Sequence, residues 1–123
     1  MEPATIPVSD HPGALALPEG VAAVSALPLS ECERRLQLWV SVGGRVDDEG
    51  FNWPSGSAIR QTEKILLELN DSPRPMFMAP DGDGGVSLEW RAGNDSTRVL
   101  IDSDGGVIQR RFRDSLLIDT RQW

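Results

Sequence analysis

The chain has 123 residues, enough for one domain, and a formal net charge of −7 with a pI near 4.6. That charge disfavours bulk attraction to nucleic acid or to an anionic membrane, so a basic partner is easier to accommodate than an acidic one. Cys32 is the only cysteine, which excludes an internal disulfide and a cysteine-based zinc site within one chain. The single cysteine favours a reducing, cytoplasmic setting. Because no apolar run is long enough to span a bilayer, we also predict a soluble protein with no membrane partner.

Residues 1–28 are predicted to form a flexible leader ahead of a single α+β domain at residues 29–123. The leader is rich in proline and alanine, and its five prolines interrupt any long helix. Its small side chains bury too little area to offset the entropy of ordering. A binding tail is the alternative, because five apolar side chains could dock on the domain or on a partner: Leu15, Leu17, Val21, Val24 and Leu27.

Ordered structure is predicted to begin with a helix near Ser30. Ser30 followed by Glu33 has the form of a capping box, with Leu29 placed as a hydrophobic staple. Gly43-Gly44 is expected to end this helix. The apolar stripe by which it would pack comprises Leu36, Trp39 and Val40.

Three consecutive acids, Asp47, Asp48 and Glu49, follow in a polar connection. Adjacent carboxylates can chelate a hard cation, but this run lacks the alternating oxygen ligands of a calcium loop. We therefore interpret it as a solvated loop and as a candidate contact with a protein partner.

A second helix is predicted from Ser57 to Leu69, ahead of an extended path through Pro73 and Pro75 into a strand around Met76 to Ala79. Its apolar residues follow the i, i+3, i+4 spacing of a buried helix face. They are Ala58, Ile59, Thr62, Ile65, Leu66 and Leu69.

The stretch 76–112 predicts an antiparallel meander, because short alternating runs are separated by Asp, Gly and Asn clusters. Val86 to Arg91 alternates apolar and polar residues, and Thr97 to Ile101 forms a second run. The turn sequence at Asp81 to Val86, DGDGGV, returns as DSDGGV at Asp102 to Val107, which predicts two similar hairpins. The fold class is accordingly α+β, with two helices packed on one face of a four- or five-stranded antiparallel meander sheet.

The last long run, Val107 to Arg113, has no face that is apolar throughout, which favours an edge strand guarded by charge. A segment at Leu116 to Ile118 could add one more strand. An exposed edge would let a partner add a strand. The candidate partner-binding residues of this run are Arg110, Arg111, Phe112 and Arg113.

Neither Asp-Gly turn fits a calcium-binding loop. In the first copy Gly85 occupies the fifth-ligand position and Ala92 the position of the bidentate glutamate, and in the second copy Arg113 stands there. Hairpin turns are therefore favoured over a metal site, and a metal-dependent hydrolase built on these loops is kept only as a second alternative.

The sequence predicts no cofactor and no catalytic residue. His11, the only histidine, lies in the leader. Cys32 falls in the first turn of a helix, where the dipole could lower its pKa, but it has no ordered base beside it. We interpret it as a buried or half-buried thiol and the protein as non-enzymatic.

Several of these segments together resemble a widespread group of uncharacterised small bacterial proteins with the pattern N-W, a helix, then P-x-x-x-P and D-G-G-[IV]-x-L-x-W. The matching residues are Asn52-Trp53, Pro73-Arg74-Pro75 and Pro80 to Trp90. Here Pro54-Ser55 stands where the group usually has Asp-Gly. The resemblance implies a partner-binding role, antitoxin-like or as an accessory subunit, in a bacterial defence or mobile-element setting. Trp53 and Trp90 are expected to pack in the core or at its edge.

The leading hypothesis is a non-enzymatic protein-interaction module that binds and modulates a partner protein, encoded by a neighbouring gene. The alternative is a nucleic-acid-associated factor, since arginines interleaved with an aromatic, as in Arg110 to Arg113, can grip phosphate and stack a base. The negative charge of the whole chain disfavours that alternative.

Overall fold

The computed structural model describes residue 17 and residues 26–69 and 72–122. Two helices are followed by five strands that pair antiparallel in sequence order, so the predicted α+β class and the meander are confirmed. Apart from Leu17 and residues 26–28, the predicted leader lies outside the described residues. The elements are α1 Leu29–Val42, α2 Gly56–Glu68, β1 Phe77–Pro80, β2 Val86–Ala92, β3 Asp95–Ile101, β4 Val107–Arg113 and β5 Leu116–Gln122.

Helix α1 begins at Leu29, earlier than the predicted capping box requires, and the capping box is wrong. The N-cap is Pro28, whose carbonyl oxygen accepts from the amides of Glu31 and Cys32, and no side chain caps the helix. Ser30 therefore lies inside the first turn. The proline has a φ of −62° in an extended conformation, which starts the helix without a side-chain acceptor. Gly43 ends the helix with a φ of 70°, as predicted.

The buried stripe of α1 is narrower than the sequence suggested. Cys32, Leu36 and Trp39 are buried at i, i+4 and i+7, whereas Val40 is 61% exposed, so its assignment to the stripe is wrong. The neighbouring elements reach only one line of side chains on this helix, and Val40 lies about 100° further around the axis.

Helix α2 is capped by Ser55, whose side chain accepts from the amide of Ala58 at 3.1 Å. Its predicted apolar stripe packs as expected, with only Leu66 left half-buried. The residues of this stripe that are buried are Ala58, Ile59, Thr62, Ile65 and Leu69.

Alternate strand residues point to the two helices and form the core. Val86, Leu88 and Trp90 of β2 and Val99 and Ile101 of β3 are each no more than 1% exposed. This is the helix-side face of the sheet. The indole nitrogen of Trp90 donates to the carbonyl oxygen of Pro73 at 2.8 Å, and half-buried Trp53 packs against the same core. Trp90 is therefore a core residue and Trp53 lies at the edge of the core, in agreement with the expectation.

The opposite face of the sheet, here called the open face, has no described helix packed on it. Cross-strand pairing fixes its members, because directly opposed residues in antiparallel strands share a face. They are Phe77, Ala79, Ser87, Glu89, Arg91, Ser96, Arg98, Leu100, Ile108, Arg110, Phe112, Leu117, Thr120 and Gln122.

Strand β4 is not the edge strand that its charges predicted. It pairs with β3 on one side and with β5 on the other, and β5 is the edge. The physical reason is that β5 is a full strand of seven residues and not the short segment Leu116 to Ile118 alone. A partner could therefore reach a free strand edge at β5 and not at β4.

Candidate protein-interaction surface

The four predicted binding residues of β4 do not form one surface. Arg110 and Phe112 lie on the open face, whereas Arg111 and Arg113 lie on the helix-side face, where they oppose Thr97 and Asp95 of β3. Alternation along a strand separates neighbouring residues in this way. Only half of the predicted cluster can therefore contact one partner through the open face.

The predicted acidic contact, Asp47 to Glu49, forms a self-contained exposed turn. One carboxylate oxygen of Asp47 accepts from the amides of Glu49 and Phe51, both at 2.9 Å. The described residues include no hydrogen bond or ion pair between this turn and β4, so the structure does not join the two predicted contact regions. Across residues 26–69 and 72–122, no group of three or more His, Cys, Asp or Glu side chains is placed to hold a metal ion.

A row of side chains crosses the open face at mid-sheet: Phe77, Glu89, Arg98, Arg110 and Thr120, one from each strand. The side chain of Glu89 is only 9% exposed. Its carboxylate lies 2.8 Å from Nε of Arg91 and 3.8 Å from Nη2 of Arg98. The hydrogen-bonded ion pair with Glu89 raises the pKa of the Arg91 guanidinium. Glu89 is thus a buried anion compensated by two arginines.

Arg98 and Arg110 face each other directly across β3 and β4. The guanidinium carbon of Arg98 lies 5.3 Å from the centre of the Phe112 ring, in cation–π geometry. Nε of Arg110 is buried and has no hydrogen-bond partner. The charged groups of this region are Glu89, Arg91, Arg98 and Arg110, so three positive charges oppose one negative charge.

The apolar part of the surface continues from the open face around the sheet edge. Leu100 and Ile108 are half-buried beside the arginines, and Phe112 lies across from Leu117 of β5. Three consecutive residues of β5, Leu116, Leu117 and Ile118, are 69%, 54% and 47% exposed. We call these three residues the edge patch. Sequence reasoning placed them in a strand but had no signal for their exposure.

On the helix-side face, Leu17 lies in an open cleft of about 380 Å³ at the outer strands. Thr97, Arg111 and Ile118 are among the residues that line it. Leu17 and Leu27 both pack against the core, and the amide of Leu27 donates to the carbonyl oxygen of Pro75 at 2.9 Å. Two of the five apolar residues named as a docking alternative therefore contact the domain. Leu15, Val21 and Val24 lie outside the described residues.

Cys32 is a fully buried thiol that packs in the core. Burial raises its pKa, with the nearby charges of Arg74 and Arg35 opposing that rise. Burial therefore affects the pKa of Cys32 more than the helix dipole does, and the interpretation as a buried thiol agrees with the structure.

The two Asp-Gly loops are hairpin turns of one design, as predicted. In each, one oxygen of the first aspartate accepts from two amides: Asp81 from Asp83 and Gly85, and Asp102 from Asp104 and Gly106, at 2.7 to 2.9 Å. These are local turn bonds of the kind that aspartate supplies. Ser55 links both loops to α2, a contact for which no local sequence pattern is a signal.

Comparisons with protein-family models, with curated proteins and with solved structures found no match to this chain. Within residues 26–69 and 72–122, no helix has the length and apolar character needed to cross a membrane.

Proposed function

We propose that this chain is a non-enzymatic protein-interaction module that binds and modulates a partner protein through the open face and the edge patch. The observation that carries the proposal is the exposed side chain of Leu117, which lies across from Phe112 on the open face, with Leu116 and Ile118 exposed on either side of it along the edge strand. Exposed apolar side chains along a sheet edge favour protein contact, because covering them releases them from water.

The edge of β5 offers backbone groups as well as side chains, and a partner strand could add there. The pairing of β4 with β5 shifts register between Arg111 and Phe112, which leaves Ile118 as an extra residue. Such a bulge bends a strand and makes edge pairing less regular. We therefore expect side-chain contacts with Leu117 and the open face to dominate over an extended sheet.

Charge complementarity favours a partner segment that carries Asp or Glu side chains among apolar ones. The central region of the open face has three arginines and one glutamate, which is opposite in sign to the net charge of −7 on the whole chain. Local potential at the contact decides orientation and association rate. An acidic contact is thus favoured over the basic one suggested by overall charge.

Two features support a non-catalytic role. Burial raises the pKa of the Cys32 thiol, which disfavours the thiolate that a nucleophile needs. Asp81 and Asp102 each use one carboxylate oxygen in two bonds to amides of their own loop. Burial in the core therefore accounts for Cys32, and turn formation accounts for the two aspartates.

The biological setting follows from the resemblance to small bacterial proteins. We propose an antitoxin-like or accessory subunit in a defence or mobile-element system, with the partner encoded by a neighbouring gene. Coexpression with the flanking genes is consequently the appropriate source of the partner.

Nucleic-acid binding is a second candidate, favoured by one observation: Arg98, Arg110 and Phe112 lie together on an open sheet face. Aromatic and arginine side chains on such a face can stack bases and bind phosphates. Against it, the ring of Phe112 already has Arg98 over it, and Glu89 lies in the centre of the region. The protein-partner proposal is therefore ranked first.

The test is to express the tagged chain with its flanking genes and to compare Leu117→Asp with Leu67→Asp. Leu67 is 79% exposed on α2, away from the edge patch, so it is a matched control for a surface leucine. We expect a stoichiometric partner to co-purify with the native chain and the control but not with Leu117→Asp, while thermal melts show that all three fold.

Two outcomes would contradict the protein-partner proposal. One is a native chain that emerges alone under these conditions. The other is equal retention of the partner by both variants. Salt-dependent binding of single-stranded RNA or DNA that is lost in Arg110→Ala would instead establish the second candidate.

A further inference from the structure

We infer that Arg98 and Arg110 form a carboxylate-binding site on the open face, which takes an Asp or Glu side chain of the partner. This inference rests on the proposed function and names the chemistry of its central contact.

Arg98 and Arg110 are a directly opposed pair in adjacent antiparallel strands, and both side chains lie on the open face. Like charges in this arrangement repel and destabilise a sheet. An anion placed between them would convert the repulsion into two attractions, so anion binding would stabilise the arrangement.

The Arg110 side chain has unused hydrogen-bonding capacity. Its Nε is buried without a partner, and among the described residues the side chain makes no ion pair. A guanidinium has five N–H donors in a planar fork that matches a carboxylate. If this side chain reorients on binding, the carboxylate oxygens of the partner would accept hydrogen bonds from those donors.

The positive charge of Arg98 is only partly balanced by a nearby carboxylate. Its Nη2 lies 3.8 Å from the Glu89 carboxylate, which is bound more closely by Arg91 at 2.8 Å. Arg98 is held over the ring of Phe112, which lies on the same face as Arg110 and two residues further along β4. The Arg98 side chain is therefore partly organised before a ligand arrives.

The open face combines the excess positive charge of its three arginines over Glu89 with an apolar row, and this combination favours an acidic side chain of a protein over free phosphate. Leu100 and Ile108 occupy the next row of the open face, across from each other. An acidic residue flanked by apolar residues in a partner protein matches both features.

Binding to the co-purified partner provides the first measurement. Arg110→Gln is expected to raise the Kd for the partner by about tenfold or more, since a hydrogen-bonded charge pair is lost. Arg111→Gln is the matched control, because Arg111 is the adjacent residue on the helix-side face, and its Kd should stay within about twofold of the native value. If Arg110→Gln binds as tightly as the native chain while Leu117→Asp does not bind, this inference fails and the proposed function stands.

A second measurement needs no partner. The Nε–Hε resonances of the arginines are followed by NMR during separate titrations with acetate and with inorganic phosphate at constant ionic strength. Saturable shifts of Arg98 and Arg110 with acetate, without a matching shift of Arg111, are expected. Their absence would overturn the site. Tighter binding of phosphate than of acetate would overturn the carboxylate assignment and favour a phosphate-bearing ligand. Acetate binding by a chain for which no partner is found would uphold the site and contradict the proposed function.

Discussion

The hydroxyl of Ser55 donates a hydrogen bond of 2.6 Å to the carbonyl oxygen of Ser103, 48 residues further along the chain. The amide of Ser55 donates to the carbonyl oxygen of Gly84 at 3.0 Å. Gly84 and Ser103 belong to the two similar Asp-Gly loops, after β1 and β3. The repeated turn sequence therefore has a shared structural role, because both loops hold the first turn of α2 against the sheet.

Replacement of Ser55 by alanine is expected to lower the free energy of unfolding by about 2 kcal/mol, from the lost N-cap and the lost bond to Ser103. Urea denaturation measures the change. Ser41→Ala is the matched control, because the Ser41 hydroxyl donates only to Leu38 within its own helix, and its change should stay within about 0.5 kcal/mol. Equal losses in the two variants would contradict a special role for Ser55.

Gly85 leaves no room for a side chain. A Cβ there would overlap the carbonyl oxygen of Ile101 and lie 2.5 Å from Oδ2 of Asp81. Gly85→Ala is therefore expected to destabilise the chain by about 2 to 3 kcal/mol through overpacking.

Gly93→Ala tests the cost of backbone strain without the overlap found at Gly85. Gly93 has a φ of 59°, and an added methyl group there would meet no neighbouring atom within 4 Å. Its cost should be about 1 kcal/mol, from the left-handed conformation alone. Thermal and urea unfolding of both variants check the difference, and a smaller loss at Gly85 than at Gly93 would be inconsistent with the close approach.

The Glu31 carboxylate accepts hydrogen bonds from Arg34 and Arg35, which lower its pKa from 4.5 to about 2. Arg35 also donates to the carbonyl oxygen of Met78 in β1 at 2.6 Å, so this cluster links α1 to the sheet. Because the folded pKa lies below the unfolded value, the stabilisation is fully present above pH 4.5 and is lost as the pH falls through about 2.

An NMR titration of the Glu31 carboxyl carbon tests this dependence on pH. Arg34→Gln should raise the pKa of Glu31 toward its ordinary value, whereas Arg60→Gln, on the other helix, should leave it unchanged. Titration of Glu31 near pH 4.5 in the native chain would show that these hydrogen bonds do not form in solution.

The bounds of α2 and β4 follow closely from the sequence, because both depend on local periodicity. The place of β4 in the sheet does not, since it depends on β5. In β5 the apolar residues Leu116 to Ile118 are consecutive, and the register shift opposite Arg111 and Phe112 disrupts the alternation that identifies a strand. Local patterns therefore identify the elements, but here they do not identify the edge.

The candidate interaction surface could be predicted from the sequence only in part, because it depends on how the strands pair. Alternation in β4 alone separates Arg110 from Arg111, and this separation was visible in the sequence. The pairing of Arg110 with Arg98 depends on the register between β3 and β4, which the intervening hairpin loop fixes. The burial of Glu89, between Phe77 of β1 and Arg98 of β3, likewise requires the assembled sheet.

Replacement of Arg98 and replacement of Arg110 are expected to change the free energy of unfolding in opposite directions, although the two residues face each other. Arg110→Thr is expected to raise the free energy of unfolding by about 1 kcal/mol, because it removes the like-charge pair and the buried Nε without a partner. Threonine also suits a strand. Arg98→Thr is expected to lower it by about 1 to 2 kcal/mol, since it removes the contact with Phe112 and one counterion of buried Glu89.

Urea denaturation of both variants at low and at high salt checks these signs. The gain from Arg110→Thr should shrink at high salt, where the repulsion between the two guanidinium groups is screened. A loss of stability in Arg110→Thr would show that Arg110 stabilises the folded chain and needs no ligand to explain it. A gain in stability combined with loss of partner binding is the trade-off expected of a residue retained for function, because such residues persist at a cost to the fold.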